Sequence, residues 1–167
     1  DTLEPFVSAV ARWETGLFVL VKTSNPGSGT LQNAELKSGD PLFVKVAEIV
    51  GQLAERSMGH CGYSDIGAVV GATYPEELSV LRKTLPACVF LVPGYGVQGG
   101  TAEDVRGAFN KDGYGAVISS SRGINFAYER LEGRIDRESV REAIRLAAIR
   151  ARDDLRAVMP SSVTPSI

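Results

Sequence analysis

Four short apolar runs, each followed by a stretch of helical periodicity, leave this sequence few folds to choose from. The first run, Gly16-Leu-Phe-Val-Leu-Val-Lys-Thr23, is apolar and partly β-branched; the helical stretch from 41 to 58 follows it, with Phe43, Val46, Ala47, Val50 and Leu53 on one face. The pattern recurs as 66–70 with 75–85, as 88–92 with 102–109, and as 116–119 with a long helix over 136–159. Strands that are apolar along their whole length need cover on both faces, and helices between them supply it through right-handed crossovers. The expected class is α/β, with four strand-helix units around a parallel sheet.

An amphipathic helix precedes the first strand, with Leu3, Phe6, Val7 and Val10 at helical spacing, and the chain opens inside it at Asp1, without an initiator methionine. Four units fit either a small open sheet or the C-terminal half of a TIM (β/α)8 barrel, which takes about 250 residues when whole. The opening inside a helix favours the half barrel. Asp136 is the expected N-cap of the last helix, with Glu138 in its first turn and Val140, Ala143, Ala147, Leu155 and Val158 along one side. No low-complexity linker interrupts the chain, so a single domain is expected over 1–167, ending in a loose tail at 160–167.

Composition narrows the function. With 18 basic and 20 acidic residues the formal net charge is −2, so no long-range field draws the chain to nucleic acid or to a membrane surface. Any phosphate must be held by a built pocket. The longest apolar run, from Ala87 to Val92, is far short of the roughly 20 residues of a membrane span, which points to a cytoplasmic protein. Cys61 and Cys88 are expected as free thiols. The single histidine, His60, beside Cys61, does not make a zinc set, and no metal site is expected.

Three stretches carry candidate chemistry. Val92-Pro-Gly-Tyr-Gly-Val-Gln-Gly-Gly100 lies between an apolar run and a helix expected from Thr101. Its glycines let backbone amides approach an anion, and a helix N-terminus adds a favourable dipole; the alternative is a tight turn that holds nothing. Gly94-x-Gly96-x-x-Gly99 also matches a dinucleotide fingerprint, but that fold wants an acid roughly 20 positions on, and the next strand ends instead in Ser119-Ser-Ser-Arg122. The planar fork of an arginine suits phosphate, although a surface ion pair is the plain alternative for Arg122 alone. Loops after the last two strands of such barrels commonly make a phosphate site, and both stretches sit in those positions. Lys22-Thr-Ser-Asn-Pro-Gly-Ser28 ends the first strand; its polar groups either read the edge of a base or form a turn set by Asn25-Pro26-Gly27. Lys22 itself is either an aldolase-like Schiff-base lysine or a lysine reaching solvent.

In this order the three stretches resemble the orotidine 5′-phosphate decarboxylase family, particularly its bacterial branch, where Thr-Ser-Asn-Pro-Gly, Pro-Gly-x-Gly-x-Gln-Gly-Gly and Ser-Ser-Arg recur at strand ends. The likeness runs from Asp1 to about Tyr128, and Asp1-Thr-Leu-Glu-Pro-Phe6 resembles that branch's approach to its fifth strand. The resemblance implies that Ser24 hydrogen-bonds the pyrimidine ring, that Pro93 lines the pocket, that Gln98 and Gly99 close over the nucleotide, and that Arg122 binds its phosphate. It further implies conversion of orotidylate to uridylate without metal or cofactor, in a homodimer, with phosphate binding helping to drive catalysis. The family's Asp-x-Lys-x-x-Asp motif is not in this sequence: none of Lys22, Lys37, Lys45, Lys83 or Lys111 has aspartate two positions before it. The chain is thus expected to carry substrate-binding residues and no catalytic residue, with the proton donor on a further, N-terminal half of the barrel.

Overall fold

The computed structural model describes residues 2–133 and 135–160. Its elements are α1 (Glu4–Trp13), β1 (Leu17–Lys22), α2 (Gly29–Gln32), α3 (Leu42–Glu55), β2 (Ile66–Val70), α4 (Pro75–Thr84), β3 (Phe90–Pro93), α5 (Ala102–Val105), β4 (Ala116–Ser119), α6 (Ser121–Asn125) and α7 (Arg137–Val158). The four strands make one parallel sheet in the order β1-β2-β3-β4. Each strand pairs with the next in sequence, as in one half of an eight-stranded α/β barrel.

Strand alternation divides the side chains between two faces. Ile66, Ala68, Val70, Phe90 and Val92 point to the helix layer, where they join Ala47 and Val50 of α3, Leu78 and Leu81 of α4, and Val105 of α5 in one buried core. Leu20, Val69, Leu91 and Val117 are in register across the other face. Nothing among the described residues covers that face fully: Phe18 is 45% exposed, Leu20 57% and Val117 53%.

The sequence periodicity locates all four strands, with the third shifted to Phe90–Pro93. The helix expected over 41–58 is α3, and its expected apolar face holds, with Phe43, Ala47 and Val50 buried and Val46 and Leu53 partly so. The expected cap of α7 is observed: Asp136 accepts from the Ser139 amide while Ser139 reaches back to the Asp136 amide. The Ser139 amide, followed by the Ser139 hydroxyl, holds the Asp136 carboxyl below its ordinary range. One expectation needs correction. The helix expected over 102–109 is one α-turn, α5, followed by a 3-10 turn at Arg106–Ala108. The segment between β4 and α7, to which the sequence periodicity assigns no element, folds into α6 and a 3-10 turn at Ala127–Arg130. Most of the tail expected to be loose, 161–167, lies outside the described residues.

Candidate functional site

The polar stretches singled out in the sequence all follow the C-terminal ends of strands, where parallel α/β folds place their ligands. Ser24 comes two residues after β1, Thr73 and Tyr74 follow β2, Gln98 lies in the glycine loop after β3, and Arg122 falls in the first turn of α6, directly after β4. Ser24, Thr73, Tyr74, Gln98 and Arg122 wall a single cavity of about 620 Å³. A smaller cavity of about 110 Å³ adjoins it, lined by Pro93, Gly94, Gln98, Ser119, Ser120 and Arg122. Gln98 and Arg122 belong to both.

Close backbone packing sets this geometry. Gly71 sits against Ser24 so tightly that a Cβ there would lie 2.6 Å from the Ser24 amide nitrogen. From the other side a Cβ on Gly94 would lie 2.9 Å from the Ser24 Cβ, and Gly94 itself adopts φ +100°, a conformation that suits glycine. Ser24 is thus seated between two glycines, and its hydroxyl donates to Gln98 Oε1 at 2.7 Å. That bond joins the β1 and β3 loops across 74 residues of sequence. Thr73 Oγ1 donates to the Ser24 carbonyl at 3.1 Å, so the β2 loop holds the same residue from below.

The glycine loop closes on itself. The Gly96 amide donates to the Gly100 carbonyl at 2.7 Å, Gly99 to Gly96 at 2.8 Å and Gly100 to Gly94 at 3.1 Å. Gly99, expected to bind substrate, therefore uses its amide within the loop, and it lines neither of the two cavities. The helix start at Thr101, expected to add its dipole to an anion site, borders neither cavity. Thr101 and Asp104 form a capping box in which Thr101 N–H donates to Asp104 Oδ2 at 2.8 Å, so this helix start is satisfied by its own side chain. The helix that borders the smaller cavity is α6, missed in the sequence because Ser-Ser-Ser-Arg reads as a strand end. Ser121, Arg122 and Gly123 form its first turn, where backbone N–H groups lack intrahelical acceptors. Arg122 is exposed, and among the described residues no carboxylate pairs with it. The surface-ion-pair alternative for Arg122 is thereby set aside.

Lys22 departs furthest from expectation. The register between β1 and β2 slips between Leu20 and Lys22, so that Leu20 pairs with Val69 and Lys22 with Val70. Val70 belongs to the helix-facing core, and Lys22 joins it there, with no exposed surface. Its Nζ donates to Asn33 Oδ1 and lies over the rings of Tyr74, at 4.5 Å, and Phe43, at 5.2 Å. The lysine neither reaches solvent nor faces the cavity, which removes the geometry an aldolase-like Schiff base requires.

A larger cavity, of about 890 Å³, lies elsewhere. It lies along the outer strand β4, with largely apolar walls that include Phe109, Tyr114, Val117, Leu155 of α7 and Met159 just after α7. It lacks the converging polar groups from several strand ends that mark the smaller pair. Among the described residues there is no group of three or more His, Cys, Asp or Glu side chains placed to hold a metal ion, and no helix is long and apolar enough to cross a membrane.

Comparison with known proteins bears on the family and the fold. The chain is 48% identical over 158 residues to an orotidine 5′-phosphate decarboxylase of Rhodopirellula baltica, a match that covers 93% of this chain and 52% of that protein. An orotidine 5′-phosphate decarboxylase of Clostridium kluyveri is 43% identical over 155 residues, with the same two coverages, 93% and 52%. Among solved structures, Leishmania donovani OMP decarboxylase superposes with a TM-score of 0.66 at 31% identity, covering 95% of this chain and 52% of that one. The chain thus spans about half the length of the relatives it matches. Residues 1–132, which hold all three strand-end stretches, match the Orotidine 5′-phosphate decarboxylase / HUMPS family over most of the sequence, and the chain belongs to that family.

Proposed function

We propose that the complete protein carrying this chain is an orotidine 5′-phosphate decarboxylase, converting orotidylate to uridylate and CO2 in pyrimidine synthesis, and that this chain supplies its pyrimidine- and phosphate-binding loops. The observation that carries the reading is the convergence of Ser24, Gln98 and Arg122, from three separate strand ends, on one cavity. Each side chain suits its assigned part. Ser24, pinned between Gly71 and Gly94, presents a hydroxyl that can donate to or accept from a pyrimidine edge. Gln98, bonded to Ser24, stands between base and phosphate, while Pro93 forms an apolar wall of the smaller cavity. Arg122 and the first turn of α6 take the phosphate.

In the reaction the bond between the ring and its carboxylate breaks, CO2 leaves, and the electron pair stays on the ring carbon until a proton arrives. This chain has no lysine in the family's Asp-x-Lys-x-x-Asp setting, so the proton comes from a further segment. The uncovered sheet face and the apolar cavity along β4 suit an N-terminal half barrel that completes the fold. A cytoplasmic homodimer, with active sites shared between subunits, completes the proposal.

Arg122→Ala in the complete protein tests the site. Losing a charge-assisted phosphate contact should weaken uridine 5′-phosphate binding by about ten- to a hundredfold in calorimetric titration. Unchanged affinity would rule out the role given to Arg122, and failure of the unaltered protein to release CO2 from orotidylate would rule out the activity.

A further inference from the structure

A buried ammonium outside the proposed reaction needs a reason for being there. Taking a lysine charge out of water is costly unless it is well partnered. Lys22 is fully buried, yet among the described residues no carboxylate pairs with it. Its partners are one amide oxygen, on Asn33, and two ring faces, on Tyr74 and Phe43. Each partner sits on a different element: Asn33 at the end of α2, Tyr74 in the loop after β2, and Phe43 in α3. The charge therefore ties the segment that follows β1 to the segment that follows β2.

These two segments hold Ser24. The Thr23 amide donates to Gln32 Oε1 at 3.0 Å, next along the chain from Asn33. Ser28 Oγ donates to the Tyr74 hydroxyl at 3.2 Å, and that hydroxyl reaches the Asn25 carbonyl at 3.5 Å. Thr73, beside Tyr74, holds the Ser24 carbonyl. The Lys22 carbonyl accepts from the Gly71 amide at 2.8 Å, which fixes the glycine against which Ser24 packs.

Resting on the function proposed above, we infer that Lys22 is a positioning residue: through Asn33 and Tyr74 its buried ammonium sets the place of Ser24, and so the enzyme's grip on the pyrimidine ring but not on the phosphate. Arg122 and α6, on the phosphate side of the site, follow β4 and take part in none of these hydrogen bonds.

The experiment measures, in the complete protein, the affinities of uridine 5′-phosphate and of ribose 5-phosphate, which lacks the ring. Lys22→Met is expected to weaken uridine 5′-phosphate about tenfold or more, as a small misplacement of a contacting group does, and to leave ribose 5-phosphate unchanged. Lys22→Arg keeps the charge and is expected to restore most of the loss. Equal losses for both ligands would reveal a merely structural lysine and overturn the inference, as would no loss for either. Should Lys22→Met fail to fold, Asn33→Ala, at an exposed residue, carries the same test with the same outcomes. If the unaltered protein binds the two ligands equally well, it is the pyrimidine-binding function that falls, a result separate from any effect of Lys22.

Discussion

Ser24 shows how far a single residue could be read from sequence. Its place in Thr-Ser-Asn-Pro-Gly marked it as a candidate, but nothing in that stretch says that Gly71, 47 positions later, forms its seat. Glycine at the end of an apolar strand reads as ordinary punctuation, and only the fold turns it into a close contact. Gly71→Ala is expected to force Ser24 aside, lowering the melting temperature through overpacking worth about 1–3 kcal/mol and weakening uridine 5′-phosphate binding at the same time. A variant with wild-type melting and affinity would show that the contact relaxes freely. The two cysteines give a second residue-scale contrast. Cys88 is buried, and burial pushes its thiol up to about 11, so it stays protonated and sheltered at neutral pH. Cys61 is exposed. Labelling with a thiol reagent followed by peptide mapping should therefore modify Cys61 quickly in the native protein and Cys88 only after unfolding.

Among the elements, strands were more legible than the connections between them. Four apolar runs gave four strands because a strand apolar on both faces leaves a plain mark in sequence, and the stripe of α3 reads as clearly. The α6 turn was invisible because its residues, Ser121–Asn125, carry no apolar periodicity and owe their helical state to their position after β4. The N-terminal ends of the strands hold another connection that sequence does not announce. Arg82 of α4 donates to the carbonyls of Leu85, Cys88, Ala108 and Gly115, and its guanidinium lies 3.8 Å from the Phe90 ring centre. One side chain thus fastens the end of α4, the approaches to β3 and β4, and the 3-10 turn after α5. Burial lowers its pKa only to about 10, so it remains a cation at neutral pH. Arg82→Met should destabilise the protein by on the order of 3 kcal/mol in urea unfolding, because buried carbonyls lose their donor. Arg82→Lys should recover little, since a point charge cannot reach four acceptors at once. Recovery by lysine would mean that charge rather than geometry is what the carbonyls need.

For the molecule as a whole, periodicity made the arrangement of strands legible, and the reading as half of a barrel came from the family resemblance and the opening inside a helix rather than from any local pattern. Periodicity gave a parallel sheet, but an open sheet and a half barrel differ in what lies against the face carrying Leu20 and Val117, and no local pattern encodes that. The 167-residue chain expressed alone should bind a hydrophobic dye and sediment as dimers or larger species, because it presents an apolar sheet face with two unpaired edge strands. A compact monomer without dye binding would show instead that the four-stranded sheet is self-sufficient.

The slip in β1 carries a lesson for reading any strand that ends in a charged residue. Had the strand run on in plain alternation, Lys22 would stand on the same face as Leu20, its ammonium turned toward the cavity. The backbone instead lags by one step, and the same letter in the sequence is delivered to the wall of the barrel rather than to its mouth. Counting positions from the last apolar residue cannot tell these two destinations apart, so a strand-end lysine names a reactive amine only once the pairing of its strand is known.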